Sequence, residues 1–225
     1  MRYELVNPGP FVMLKANLDL GESLKAEAGS MIAMSDTVDV EGKMEGGFLK
    51  GLGRMLAGES FFFQTLTARR GPGEVLLAHE LPGEIYPITL DGQTNYILQK
   101  DGFFAASREV EISTKVQNLL KGLFSGEGFF VLRASGMGTL FVSSYGAIYP
   151  IDLSEGQEFI VDNGHLVAWP ETMEYKIQKA SSGWISSLTS GEGLVCRFRG
   201  PGRVLIQSRN PGGFIAWISH LLPKR

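Results

Sequence analysis

The chain has 225 residues, 44% of them apolar, and a formal net charge of −3. That mildly acidic balance leaves no basic footprint for nucleic acid, which is not expected as a partner. The one cysteine, Cys196, excludes an intramolecular disulfide and any cysteine-rich metal site.

Met1 to Pro10 lacks a basic stretch followed by an apolar one and a cleavage site, so no leader is expected. No run approaches the roughly 18 apolar residues that a spanning helix needs, and the expected location is the cytoplasm. Asp36, Asp39 and Glu41 are clustered acids, but they lack the glycine and terminal glutamate of a calcium loop. From Gly46 to Ala57, Phe48, Leu49, Leu52, Met55 and Leu56 recur at helical spacing. Gly51-Leu52-Gly53 invites a phosphate-loop reading that fails on chemistry. A dinucleotide fingerprint needs glycine where Leu56 stands, and a phosphate loop from Gly53 meets Glu59 where lysine should neutralise the ligand.

Strand signals follow. Phe61-Phe62-Phe63 and Val75-Leu76-Leu77 flank the turn Gly71-Pro72-Gly73. Tyr86-Pro87-Ile88-Thr89-Leu90 starts another strand, with a proline that an edge tolerates. Lys115 to Phe124 again has helical spacing, through Val116, Leu119, Leu120, Leu123 and Phe124. Tyr149-Pro150-Ile151-Asp152-Leu153 echoes the earlier strand start, and Asp162-Asn163-Gly164 reads as a type I′ hairpin turn. Trp184, Ile185 and Leu188 form a shorter apolar echo. Cys196, within Leu-Val-Cys-Arg-Phe, reads as a half-buried strand residue. Finally, Phe214, Trp217, Ile218, Leu221 and Leu222 form a helical stripe over about 212–222 that Pro223 ends.

These signals recur three times. Gly58-Glu59, Gly126-Glu127 and Gly191-Glu192 each precede an apolar strand, a Gly-x-Gly turn and a second apolar strand. Gly-x-x-x-Ala repeats at Gly29/Ala33, Gly102/Ala106 and Gly164/Ala168. Such triplication predicts an all-β fold of three tandem β repeats with pseudo-threefold symmetry, because one repeat cannot bury its apolar face alone. The units are about 11–80, 81–143 and 144–209, in a single domain over 1–225. Short helices are expected in the glycine-rich segments and at the C-terminus.

His79, His165 and His220 stand far apart without ligand spacing, and no nucleophile elbow is present. No catalytic constellation results, so the chain is not expected to be an enzyme. No cofactor is expected either. Glu59, Glu127 and Glu192 are the one repeated polar set. Each caps backbone N–H groups of its own loop, the ordinary reading, or the three converge and need a shared cation or ligand to relieve their repulsion. Phe48, Leu52, Met55, Trp217, Ile218 and Leu221 are the expected oligomer or partner contacts, because such apolar stripes face a core or a subunit. Peripheral membrane contact is the other use of such a stripe.

In Leu-Ala-Gly-Glu-Ser-Phe-Phe at 56–62, Ser-Gly-Glu-Gly-Phe-Phe at 125–130, Tyr-Gly-Ala-Ile at 145–148 and Val-Asp-Asn-Gly-His-Leu-Val-Ala at 161–168, the chain resembles the altered-inheritance-of-mitochondria family. The resemblance continues through Ser-Gly-Glu-Gly-Leu-Val at 190–195 and the run from Gly200 to Gly213, so it spans essentially the whole chain. It implies a fold like that of the tryptophan-RNA-binding attenuation protein, in the double-stranded β-helix class. It also implies a homo-oligomer, for which a trimer is expected. The family brings no established catalytic residues, and its mitochondrial branch is associated with inner-membrane organisation. The function expected is that of a non-enzymatic oligomeric scaffold or organising protein, in contact with a membrane. The alternative is a binding module for a small ligand or RNA.

Overall fold

The computed structural model describes residues 1–44, 62–117, 129–179 and 194–222. Strands dominate. The first group is β1 (Arg2–Val6), β2 (Met13–Leu18), β3 (Ser23–Glu27), β4 (Met31–Met34), β5 (Val38–Met44), β6 (Phe62–Ala68) and β7 (Gly73–Ala78). Then come β8 (Ile85–Asp91), β9 (Tyr96–Gln99), β10 (Phe103–Ser107), β11 (Val110–Gln117) and the long β12 (Phe129–Ser143). The last group is β13 (Ile148–Leu153), β14 (Glu158–Asp162), β15 (Leu166–Pro170), β16 (Glu174–Lys179), β17 (Leu194–Arg199) and β18 (Gly202–Gln207). The α-helix α1 (Pro211–Leu221) closes the described chain. Among the described residues, no helix is long and apolar enough to cross a membrane.

Alternation sets most of these strands. In β2, Leu14, Ala16 and Leu18 are buried while Met13, Lys15 and Asn17 are half-buried, as period-2 geometry dictates. The strands β10 and β15 break the rule because both their faces are covered. In β10, Phe104 and Ala105 enter one core with Leu14, Leu24 and Leu77, while Phe103 and Ala106 enter a second with Leu98 and Leu140. In β15, Val167 and Ala168 join that second core, and Leu166 and Trp169 enter a third with Cys196 and Phe198. Continuous apolar text is what such two-sided burial requires. Each phenylalanine or tryptophan so buried contributes about 1.5–3 kcal/mol.

All pairings between the strands named above are antiparallel, and the sheets interlock. One run is β8-β12-β10-β3-β6-β5, and another is β13-β18-β15-β9-β12-β11, the two sharing β12. The remaining strands form two separate sheets, β1-β2-β7-β4 and β14-β17-β16.

Three expectations change on inspection. Asp162-Asn163-Gly164 is not a type I′ hairpin. Neither Asn163 nor Gly164 has positive φ, and β14 pairs β17 whereas β15 pairs β18 and β9. Residues 163–165 instead form a single 3-10 turn, because the Asp162 side chain accepts from Gly164 N at 2.8 Å. A Cβ at Gly164 would lie 2.3 Å from the Asn210 side chain, so a larger residue there would displace Asn210.

Gly136-Met137-Gly138, read as a turn, lies inside β12. Gly136 and Gly138 have φ of +100° and +138°, so the strand bends without ending and pairs β11 before the bend and β8 after it. The helical spacing read from Lys115 fails at its start: Lys115, Val116 and Gln117 are strand, opposite Val131, Phe130 and Phe129. The rest of that segment, and the segment from Gly46 to Ala57, lie outside the described residues.

Candidate functional site

The best-defined polar construction roots α1 on the strands. Asn210 caps the helix by accepting from Gly212 N at 2.9 Å, and Pro211 occupies its first turn, where no N–H is needed. Just before it, the Gln207 side chain accepts from Tyr145 N at 2.8 Å and donates to Gly164 O at 3.1 Å. His165 Nδ1 lies 2.8 Å from Gln207 O, which gives this histidine a structural role. The Tyr145 ring meets Phe214 at 5.5 Å, and Phe214 stacks on Trp217 at 6.2 Å. Beyond that root the helix has no buried residue. Trp217 and Leu221 are 59% and 66% exposed, Ile215 and Leu222 are exposed as well, and Ile218 is half-buried. The result is a short, firmly capped helix with an outward apolar face.

Two other polar groupings have been built from distant sequence. Glu27, half-buried at the end of β3, has its carboxyl pushed up to about 7 by burial first, then by the negative charges of Glu80 and Asp101. His79 Nε2 lies 3.9 Å from the same carboxyl. At the other, Arg203 grips Asp152 through two bonds of 2.6 and 2.9 Å and donates to the Tyr86 hydroxyl at 3.4 Å. It borders a shallow depression with Tyr96, Ile88 and Thr89. Its guanidinium is already committed to Asp152, which leaves weak means of holding an anion. Among the described residues, no three His, Cys, Asp or Glu side chains gather at metal-binding range.

Of the residues singled out in the sequence, Trp217, Ile218 and Leu221 lie together on α1. Glu59, Glu127, Glu192, Phe48, Leu52 and Met55 lie outside the described residues. Cys196 is buried in β17, and burial pushes its thiol up to about 12. Sequence reasoning missed Glu27, whose neighbours come from two other stretches, at 79–80 and at 101. It also missed the run Met31-Ile32-Ala33-Met34, where Ile32 and Ala33 are exposed. Apolar text alone does not say whether a strand has one covered face or two.

The family described as mitochondrial biogenesis AIM24 matches over residues 3–209. The chain belongs to this family. An uncharacterized protein of Streptococcus pyogenes serotype M6 is 34% identical over 99% of this chain and 92% of its own length. The altered inheritance of mitochondria protein 24 of the fungus Verticillium alfalfae is 24% identical over 92% of this chain, and the match spans 64% of the fungal protein. Among solved structures, a crystal structure of a Streptococcus pyogenes protein matches with a TM-score of 0.80 and 33% identity, covering 98% of this chain and 99% of the other. AIM24 membership fits the resemblance read from the Gly-Glu and Gly-Pro-Gly motifs.

Proposed function

We propose that this AIM24 protein is a non-enzymatic scaffold that self-associates, built as one domain from three copies of a six-strand unit. The trimer remains the favoured assembly. In support of the repeat, β2, β8 and β13 pair β7, β12 and β18, and the same partners then take β4, β10 and β15. The strands β6, β12 and β17 lie likewise between β3 and β5, β9 and β11, and β14 and β16. An attenuation-protein-like arrangement is consistent with that order.

The observation that carries the scaffold reading is α1. A helix anchored by Asn210, Gln207 and Phe214, yet offering Trp217 and Leu221 to solvent, invests local structure in holding an apolar face outward. That face serves contact between copies. A lipid surface is the other occupant suggested by the family's mitochondrial branch. Sedimentation velocity on the wild type and on Trp217→Ser/Leu221→Ser tests this. The variant should assemble more weakly while its melting temperature stays within about 2 °C, since surface changes lie within about 0.5 kcal/mol. Identical assembly in both proteins would remove α1 from the contact.

A further inference from the structure

The sheets contain two junctions where β10 meets β3 and β15 meets β9. At the first, Ala105 faces Ala26, Ala106 faces Lys25 and Ser107 faces Leu24. At the second, Ala168 faces Leu98, Trp169 faces Ile97 and Pro170 faces Tyr96. The two are in the same register, as internal landmarks show. Ala33, Ala105 and Ala168 each follow a bulge and oppose Leu76, Phe141 and Leu205. Glu27, Gln99 and Asp162 each end their strand four residues before β4, β10 and β15 begin, and oppose Phe63, Val131 and Val195. In both junctions, the alanine after the bulge therefore meets the residue just before that landmark.

Among the described residues, a third junction of this kind is missing. Its two halves are β4 and β14, each at the end of its own sheet, with β7 and β17 as their only strand neighbours among the described residues. Ser35 N donates to Glu74 O at 2.8 Å, toward β7. Strand alternation then turns the Met34 N–H and C=O to the open edge. The side chains that a junction buries are bare here. Ile32 is 52% exposed, whereas Phe104 and Val167 at the same place in β10 and β15 are 0% and 1%. Phe159 is 43% exposed, whereas Leu24 at its place in β3 is 0%. An open strand edge with uncovered apolar side chains is a template for another chain.

We infer that β4 of one copy pairs antiparallel with β14 of a second copy, with Ala33 opposite Val161, Met34 opposite Ile160 and Ser35 opposite Phe159. The partner is this chain itself, because the two internal junctions already display the complementary surfaces and their register. Each copy contributes one β4 and one β14, so the contact is head-to-tail and assembly continues until the ring closes. This rests on the self-association proposed above and gives it a seam distinct from α1.

The test mixes two single variants, Met34→Cys and Ile160→Cys, under mild oxidation. Directly opposed positions place the two sulfurs within disulfide reach. A reductant-sensitive dimer should form in the mixture and be absent from either variant alone. Ile32→Lys and Phe159→Lys, both at exposed positions, should weaken assembly about tenfold, equivalent to about 1.4 kcal/mol. If the wild type is oligomeric by light scattering but no mixed dimer forms, the seam is wrong and self-association stands. If a chain carrying both cysteines gives only an internal disulfide in a monomer, the junction closes within one chain and the inference is overturned. If the wild type is monomeric at micromolar concentration, self-association and the seam fail together.

Discussion

Glu27 is a side chain whose chemistry departs far from its sequence context. Its carboxyl holds a proton up to about pH 7 in the folded chain, against an ordinary value of 4.5, because burial and the charges of Glu80 and Asp101 disfavour the anion. The folded state therefore binds this proton more tightly than the unfolded one. The stability it supplies is complete below about pH 4.5 and is lost as the pH rises toward 7. After allowing for solvent screening at a half-exposed group, the loss is about 1 kcal/mol. Denaturant titrations at pH 4 and pH 8 should show Glu27→Gln gaining about that much at pH 8 and little at pH 4. An unchanged pH slope in the variant would contradict this origin. Cys196 behaves in the opposite practical sense. Its thiol is pushed up to about 12 and it is fully enclosed, so it should resist alkylation in the native protein at pH 8 and react once denatured. Rapid native labelling would show that the third core opens.

Among the elements, the strands were the most legible. Phe62-Phe63, Val75-Leu76-Leu77 and Val204-Leu205-Ile206 lie on β6, β7 and β18, and the terminal stripe is α1, because periodicity reports which faces are apolar. What failed were local turn rules overridden by tertiary contacts. Asn163-Gly164 corners under Asn210, and the Gly136 and Gly138 pair bends β12 instead of ending it. The joints between strand groups were also invisible. Gly83 N donates to Pro10 O at 2.7 Å, Gly146 N donates to Pro82 O at 2.8 Å, and a Cβ at Gly83 would sit 1.7 Å from Ser144 O. No side chain fits there without backbone movement. Gly83→Ala should cost about 2 kcal/mol or more by chemical denaturation, whereas Gly42→Ala, with open space around it and no positive φ, should cost less. Equal losses would show that the joint has slack.

At the scale of the whole molecule, the family and the strand-rich fold followed from long ordered motifs. The candidate contacts followed only in part. Trp217 and Leu221 could be read as an apolar stripe, but the exposure of Ile32 and Phe159 depends on which strand edges find partners, and that is a property of the folded arrangement. Two outward apolar features on one chain, α1 and the β4 and β14 edges, are difficult to keep in water at working concentrations. The most direct measurement is the absolute mass of the unmodified protein by light scattering across a micromolar dilution series. The account predicts an integer multiple of 24.6 kDa, with the trimer favoured. A constant 24.6 kDa throughout would contradict it.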